Sequence, residues 1–235
     1  MLKQIARNIL GDNIVKRINT KIQRFAMLMY GEKAIAEFDT VFRSLKLDYW
    51  LAFGTLLGAY REKDFIKNDD DIDTAMYCTD ITPEVIDKLE EKGFIFEHAI
   101  LTDDNLYCQI SFKYHGVSFD IYGFRKGLSS EKLITGFIPR ALHDKNWTEA
   151  FNLNKFKILL VNMNYDGFVD THFKNLIVSI PRNSEVFLRK HYGDDFMTPI
   201  PGKKGSSRET ICEIPIEKLT ASIVTREQLF ERLIK

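Results

Sequence analysis

The sequence predicts an α+β domain: a mixed sheet with helices packed on it, preceded by an N-terminal helical extension. Three observations carry this prediction. Apolar residues recur at helical spacing through the first 45 residues, before any strand pattern begins. Short segments with period-two alternation then follow one another closely. Apolar residues make up 45% of 235, enough to bury one sizeable core. The expected division is a helical extension over residues 1–46 and one compact unit over 47–235.

The elements are justified in order. Leu2, Ile5, Ala6, Ile9 and Leu10 share helical spacing, and Ile14, Val15, Ile18 and Ile22 continue it after Gly11. Lys3, Arg7, Lys16, Arg17, Lys21 and Arg24 stand on the opposite face against one acid, Asp12. Two readings of this basic amphipathic stretch stand side by side. It is a core-packing helix pair with a solvated basic face, or a helix resting on an anionic membrane surface. Glu32 to Leu45 is predicted as a second helix, with Ile35, Phe38, Phe42 and Leu45 on one stripe. "DYWLAF" reads as a strand, "GTLLGAYREK" as a sharp turn entering a helix, and "DIDTAMY" as a strand again. "PEVIDKLEEKG" is a short helix with Pro83 in its first turn and Gly93 past its end. "FIFEHAIL", "LYCQISFKYH" and "VSFDIYGF" are strands, the last two joined by a hairpin at Gly116. The helices are expected on one side of the sheet.

Composition excludes several classes. Lys+Arg and Asp+Glu both number 33, so no global charge draws the chain to nucleic acid. Cys78, Cys108 and Cys212 are scattered without CxxC spacing, which suits free thiols in a reducing, cytoplasmic setting. No run of about 18 apolar residues spans a membrane, and charges interrupt the N-terminus where a secretory signal would be apolar. The five histidines show no zinc-pair spacing, and neither a Walker loop nor a GxSxG elbow is present. "DDDIDTAMYCTD" imitates a calcium loop in its aspartates but has Thr74 where that loop needs glycine.

The chemistry concentrates in "FGTLLGAYREKDFIKNDDDIDTAM", where Asp69, Asp70, Asp71 and Asp73 crowd together. Like charges this close disfavour one another's ionisation, so a cation or full solvation must relieve them. On a strand, Asp71 and Asp73 point the same way, with Cα atoms roughly 6.6 Å apart. In "VSFDIYGF", Ser118, Asp120 and Tyr122 share one face and Phe119 and Ile121 the other. If the two strands pair, Asp120 joins Asp71 and Asp73, and three hard oxygen ligands suit Mg²⁺ or Mn²⁺. Two such ions would hold a diphosphate and support phosphoryl transfer. Gly54 lets the backbone approach a ligand, Thr55 is expected to cap the following helix, and that helix start is an anion site. Arg61 either clamps a diphosphate or pairs with Glu62 or Asp64, and Asp69 and Asp70 are either functional or a solvated turn. Tyr192 and Asp194 shape an acceptor side or merely end a helix at Gly193. Lys203, Lys204 and Arg208 touch a polyanionic acceptor or lie in a solvated loop.

"YWLAFGTLLGAYREKDFIKNDDDID" resembles the signature of the LicD and fukutin-related proteins, a branch of the nucleotidyltransferase fold, and "IPRNSEVFLRKHYGDDFMTP" resembles the same family's closing element. Together they bracket residues 49–199. Lys67-Asn68 before the aspartates and Glu62 after Arg61 depart from the family's usual pattern. The resemblance implies metal-dependent transfer of phosphocholine or an alditol phosphate from a CDP-linked donor to a hydroxyl of a surface or lipid-linked glycan, with CMP released. It implies Asp71 and Asp73 as the metal pair, Asp120 as third carboxylate, and Gly54, Thr55, Arg61 and Asp70 on the nucleotide side. The basic N-terminal helix would then give peripheral contact at the cytoplasmic face of a membrane. Two rival functions are a sugar-nucleotide glycosyltransferase using the Asp-x-Asp pair and a catalytically silent binding module of the same fold.

Overall fold

The computed structural model describes residues 11–67, 69–102, 108–126, 132–137, 156–157, 159–200 and 220–233. Helix α1 (Asp12–Leu45) is one continuous rod of 34 residues, roughly 50 Å long. The expected break between a first helical stretch and a second starting at Glu32 is absent. Gly31 lies inside the helix because Phe65 crosses there: a Cβ on Gly31 would stand 3.0 Å from the Phe65 ring. Lys46, in the left-handed conformation, ends the rod by turning its N–H back onto Arg43 and Phe42 carbonyls. The helical pattern expected at Leu2, Ile5, Ala6, Ile9 and Leu10 lies outside the described residues.

Strand β1 (Tyr49–Leu51) leads into α2 (Phe53–Arg61), and β2 (Asp71–Tyr77) follows. Next come α3 (Pro83–Glu91), β3 (Phe94–Thr102), β4 (Cys108–Tyr114) and β5 (Val117–Lys126). Pro83 opens α3, Thr82 accepts the Val85 N–H as its cap, and Gly93 (φ 92°) follows its end, as the sequence predicts. The β4–β5 hairpin turns at His115-Gly116, both at positive φ, with Tyr114 opposite Val117. The chain continues through β6 (Lys132–Phe137), β7 (Phe156–Lys157), β8 (Leu159–Asn164), β9 (Phe168–Phe173), β10 (Leu176–Pro181), α4 (Ser184–Tyr192), β11 (Thr220–Val224) and α5 (Arg226–Leu233).

Among the described residues, nine strands form one mixed sheet in the order β1-β2-β5-β4-β3-β11-β7, with β6 joining β5 to β8; β9 and β10 form a separate hairpin. Among these pairs β2 and β5 run parallel and the rest antiparallel. Helices cover both faces, not one. On one face Phe38 of α1 packs on Phe119, with ring centroids 4.8 Å apart, and α1 and α3 lie together over that face. On the other face Phe53 of α2 packs on Tyr122 at 4.6 Å and on Phe187 of α4 at 6.0 Å. The period-two pattern of β5 predicts both layers, since Phe119 and Tyr122 point to opposite sides. The second half of α1 supplies fully buried Ile35, Phe38 and Phe42 to the core. Among the described residues, no helix is long and apolar enough to cross a membrane.

Candidate active site

The site is built on β2 and β5, the one parallel strand pair among the described residues. Asp73 lies directly opposite Asp120, and Asp71 opposite Ser118. Partners in such a ladder point to the same face, so Asp71, Asp73 and Asp120 converge, with one carboxylate oxygen from each within 4.8 Å of the others. Ile72 between them is fully buried on the opposite face, which locks the register: a slip by one residue would bury the carboxylates in the aromatic layer.

Three connections hold the carboxylates in place. Gly54 N donates to Asp73 Oδ2 at 3.1 Å. Asp73 N donates to Thr55 Oγ1 at 2.8 Å. Ser111 Oγ donates to Asp120 Oδ1 at 2.6 Å. The second bond corrects one expectation. Thr55 is fully buried and does not cap α2; Ala52 holds the N-cap position without a side-chain bond, and the Thr55 hydroxyl accepts from the neighbouring strand. The N–H of Gly54, in the first turn of α2, already faces a carboxyl oxygen, that of Asp73 itself. Phe53, at the turn between β1 and α2, has φ 40°, a left-handed conformation that strains a bulky residue. The strained residue directly precedes Gly54, whose N–H meets Asp73, and Phe53 packs against Tyr122, Phe187 and His191.

The two glycines of "GTLLG" do different work. A Cβ on Gly54 would lie 3.4 Å from Asp73 Oδ2 and 3.7 Å from Asp69 Oδ2, so glycine keeps the edge of the carboxylate group bare. A Cβ on Gly58 would lie 2.5 Å from the Asp64 carbonyl oxygen, so glycine there lets the acidic loop fold against α2. That loop carries Asp69 and Asp70, which form a second group of ligand atoms with Asp71. The two groups share Asp71.

The electrostatics follow from the crowding. Burial, then the charges of Asp71, Asp120 and Asp69, hold the Asp73 carboxyl well above the usual carboxylate range, with the Gly54 N–H pulling the other way. Burial pushes Asp120 up to about 6, against the Ser111 hydrogen bond and the Lys113 charge. Tyr122 and Tyr192 are likewise pushed upward, first by burial and then by Asp73 and its neighbours, so both phenols stand beside the carboxylates and stay protonated. The residues fit a divalent cation: they are hard oxygen donors whose carboxylate oxygens converge within 4.8 Å of one another.

Arg61 answers an open question. Its Nε donates to Glu62 Oε1 at 2.9 Å and its Nη1 to the Phe196 carbonyl at 3.0 Å. The pairing is with Glu62, not Asp64, which instead meets Lys174 at 3.2 Å. Through Phe196, Arg61 ties the glycine-turn helix to the C-terminal stretch, and Tyr60 does the same through Glu185 at 3.2 Å. Gly193 ends α4 with its N–H on the Arg189 carbonyl at 2.8 Å, the helix-ending turn weighed from the sequence, while Asp194 is exposed and pairs with Arg189 at 3.2 Å. Lys203, Lys204 and Arg208 lie outside the described residues.

Sequence reasoning passed over Ser111, Lys113 and the strain at Phe53. Ser111 was within reach: a hairpin centred on His115-Gly116 places residue 111 opposite 120, as observed. Nothing local marks Phe53.

The comparisons with known proteins agree with this site. Residues 46–183 match the family described as LicD/FKTN/FKRP, nucleotidyltransferase domain. The chain is 26% identical to mouse (Mus musculus) Ribitol-5-phosphate transferase FKTN over 159 residues, 67% of this chain and 31% of that protein. It is 22% identical to the human (Homo sapiens) protein of that name over 195 residues, 81% of this chain and 37% of that protein. A 72-residue stretch, 31% of this chain, is 42% identical to 19% of Uncharacterized protein T07A5.1 of Caenorhabditis elegans. The matches thus span between 19% and 37% of each relative's length. They support a phosphotransferase-type function. Since the family match takes in the glycine turn, all the converging aspartates and more than half of the 235 residues, the chain belongs to the LicD/FKTN/FKRP nucleotidyltransferase-domain family.

Proposed function

We propose that this chain transfers a phospho-substituted alcohol, such as phosphocholine, glycerol phosphate or ribitol phosphate, from a CDP-linked donor to a hydroxyl of a glycan or glycolipid. The observation that carries the reading is the parallel pairing of Asp73 with Asp120 beside Asp71, which gathers three carboxylates around one point. The name shared by two relatives favours ribitol phosphate within that class.

In this reading Asp71, Asp73 and Asp120 hold Mg²⁺ or Mn²⁺, two ions in all, with Asp70 and Asp69 extending the set beside Asp71. When bound, the cations supply positive charge to the diphosphate and to the departing phosphate of CMP. The chain's own residues do the rest. Gly54 leaves the carboxylate edge open to the diphosphate, and Thr55 keeps β2 in register with α2. Arg61, ion-paired with Glu62, fastens the C-terminal stretch to the glycine-turn helix on the nucleotide side. The acceptor oxygen attacks the phosphorus distal to the nucleoside, the bond from that phosphorus to the bridging oxygen breaks, and CMP departs with that oxygen. Asp120 helps either as a third ligand or as the base whose carboxylate oxygen takes the acceptor proton. The division at residue 46 between an N-terminal extension and a catalytic unit over 47–235 belongs to the same proposal, with the second half of α1 packed into that unit's core, and the protein works in the cytoplasm, touching the cytoplasmic face of a membrane peripherally.

Calorimetric titration of CDP, UDP, GDP and ADP, each with and without Mg²⁺ or Mn²⁺, tests this. The expected result is CDP binding that disappears without metal. Preference for UDP would instead support a sugar-nucleotide glycosyltransferase, and no nucleotide binding at all a silent binding module.

A further inference from the structure

The first half of α1 presents an apolar face that stands exposed among the described residues. Ile14, Ile18, Ile22, Phe25, Leu28 and Met29 are all exposed, Leu28 to 86% and Phe25 to 63%. At about 100° per residue they fall in one arc of roughly 120°. Arg17, Lys21 and Arg24 are exposed within and along one border of that arc. No acidic residue occurs between Asp12 and Glu32, in a chain whose Lys+Arg and Asp+Glu are equal at 33 each.

The helix cannot roll this face inward. Its opposite side is already fastened to the β4–β5 turn: Ala26 and Met27 are buried, Tyr30 stacks on His115 at 4.9 Å, and Gln23 Nε2 donates to Ser118 Oγ at 3.4 Å. A second copy of the chain is a poor occupant, because pairing two such faces would bring their basic residues together. An apolar arc bordered by cations matches the anionic interface of a lipid bilayer, where apolar side chains enter the acyl boundary and lysine and arginine meet the headgroups. The position also matters. Ser118, which Gln23 holds, lies directly opposite Asp71 in the sheet, so the docking half of the helix and the carboxylate site occupy the same end of the molecule.

We propose that residues 14–29 of α1 seat the protein on an anionic lipid surface, and that this seat presents the carboxylate site to acceptors carried on that surface. The second clause rests on the transferase reading above; the first does not.

Co-sedimentation of the full chain with phosphatidylcholine vesicles, with and without phosphatidylglycerol, tests the seat. The expected result is binding to the anionic vesicles at low salt, weakened by high salt and absent from the neutral ones. Phe25→Ser with Leu28→Ser should abolish that binding while leaving the melting temperature and CDP titration unchanged. Arg17→Gln with Lys21→Gln should weaken it roughly 25-fold, about fivefold per cation. Failure to sediment with anionic vesicles at low salt overturns the proposal. So does undiminished binding by the Phe25→Ser, Leu28→Ser variant, or a lipid-free dimer that this variant dissolves. CDP binding without vesicle binding would remove the seat alone; vesicle binding without CDP binding would remove the transferase reading alone.

Discussion

Asp73 and Asp70 stand three residues apart in one acidic run, yet the fold holds them in different ways. Asp73 lies inside a strand, buried, in ladder register with Asp120, and it accepts a backbone N–H from the α2 turn. Asp70 lies in the loop before that strand, half-buried, and its place depends on how the loop from Glu62 folds against Gly58. Strand-held carboxylates are fixed by the whole sheet. Loop-held ones are fixed by one close backbone approach. The difference separates a rigid part of the site, suited to orienting charge, from an adjustable part, suited to admitting a ligand.

The sharpest way to break the comparison is at the residue both groups share. Asp71→Asn should lower transfer roughly 10³-fold or more, because it removes a charge needed by both sets of ligand atoms. The same variant should fold normally, with unchanged or higher stability, since it relieves like-charge crowding. Near-normal turnover by a well-folded Asp71→Asn protein would refute the site. Gly58→Ala strikes only the loop: its methyl would press on the Asp64 carbonyl, so a loss of about 2–3 kcal/mol is expected in urea unfolding. Weaker metal binding should accompany it while Asp73 and Asp120 stay paired.

The rigid pair also has a pH signature. Asp120 has a folded pKa near 6, above its unfolded value, so the native state binds more protons between about pH 4 and pH 6. In the absence of divalent cations, stability should therefore fall as pH rises through that window, by about 3 kcal/mol from Asp120, with the raised Asp73 carboxyl adding to the fall. Asp120→Asn should make the fall shallower, and added Mg²⁺ should reverse it above pH 6. A flat wild-type profile without metal would contradict the burial of that carboxyl. Ser111→Ala makes a finer adjustment. Without the hydroxyl, Asp120 loses a bond to its charged form, and the acid limb of the pH–rate profile should move up by on the order of one unit. Smallest of all, Asp70→Asn should cost less than about tenfold in turnover, because the remaining carboxylates of its group can adjust around one lost charge. A loss as large as that of Asp71→Asn would erase the distinction between strand and loop.

Much of the site was legible because a strand has a period of two and a hairpin has a centre. Those two facts put Asp71, Asp73 and Asp120 on one face and would have put Ser111 beside them. The helix at "GTLLG" was legible too, but not the use of its parts. A threonine hydroxyl near a helix start has several possible partners, and the one Thr55 takes belongs to a strand 18 residues away. The predicted break in α1 failed for a related reason. A glycine in a helical pattern reads as a weak point, and only the ring of Phe65 lying across Gly31 shows that it marks a crossing.

By itself, then, the sequence determined the alternation of faces, the α+β order, the hairpin turn and the crowding of acid that calls for a cation. These are set by spacing along the chain. Tertiary structure alone decided that helices cover both sides of the sheet, that Arg61 serves Glu62 and Phe196, that Asp73 answers the α2 turn, and that half of a long helix stays bare. Each of those outcomes depends on which surface, distant along the chain, lies alongside in the folded state, and side-chain spacing carries no record of that neighbour.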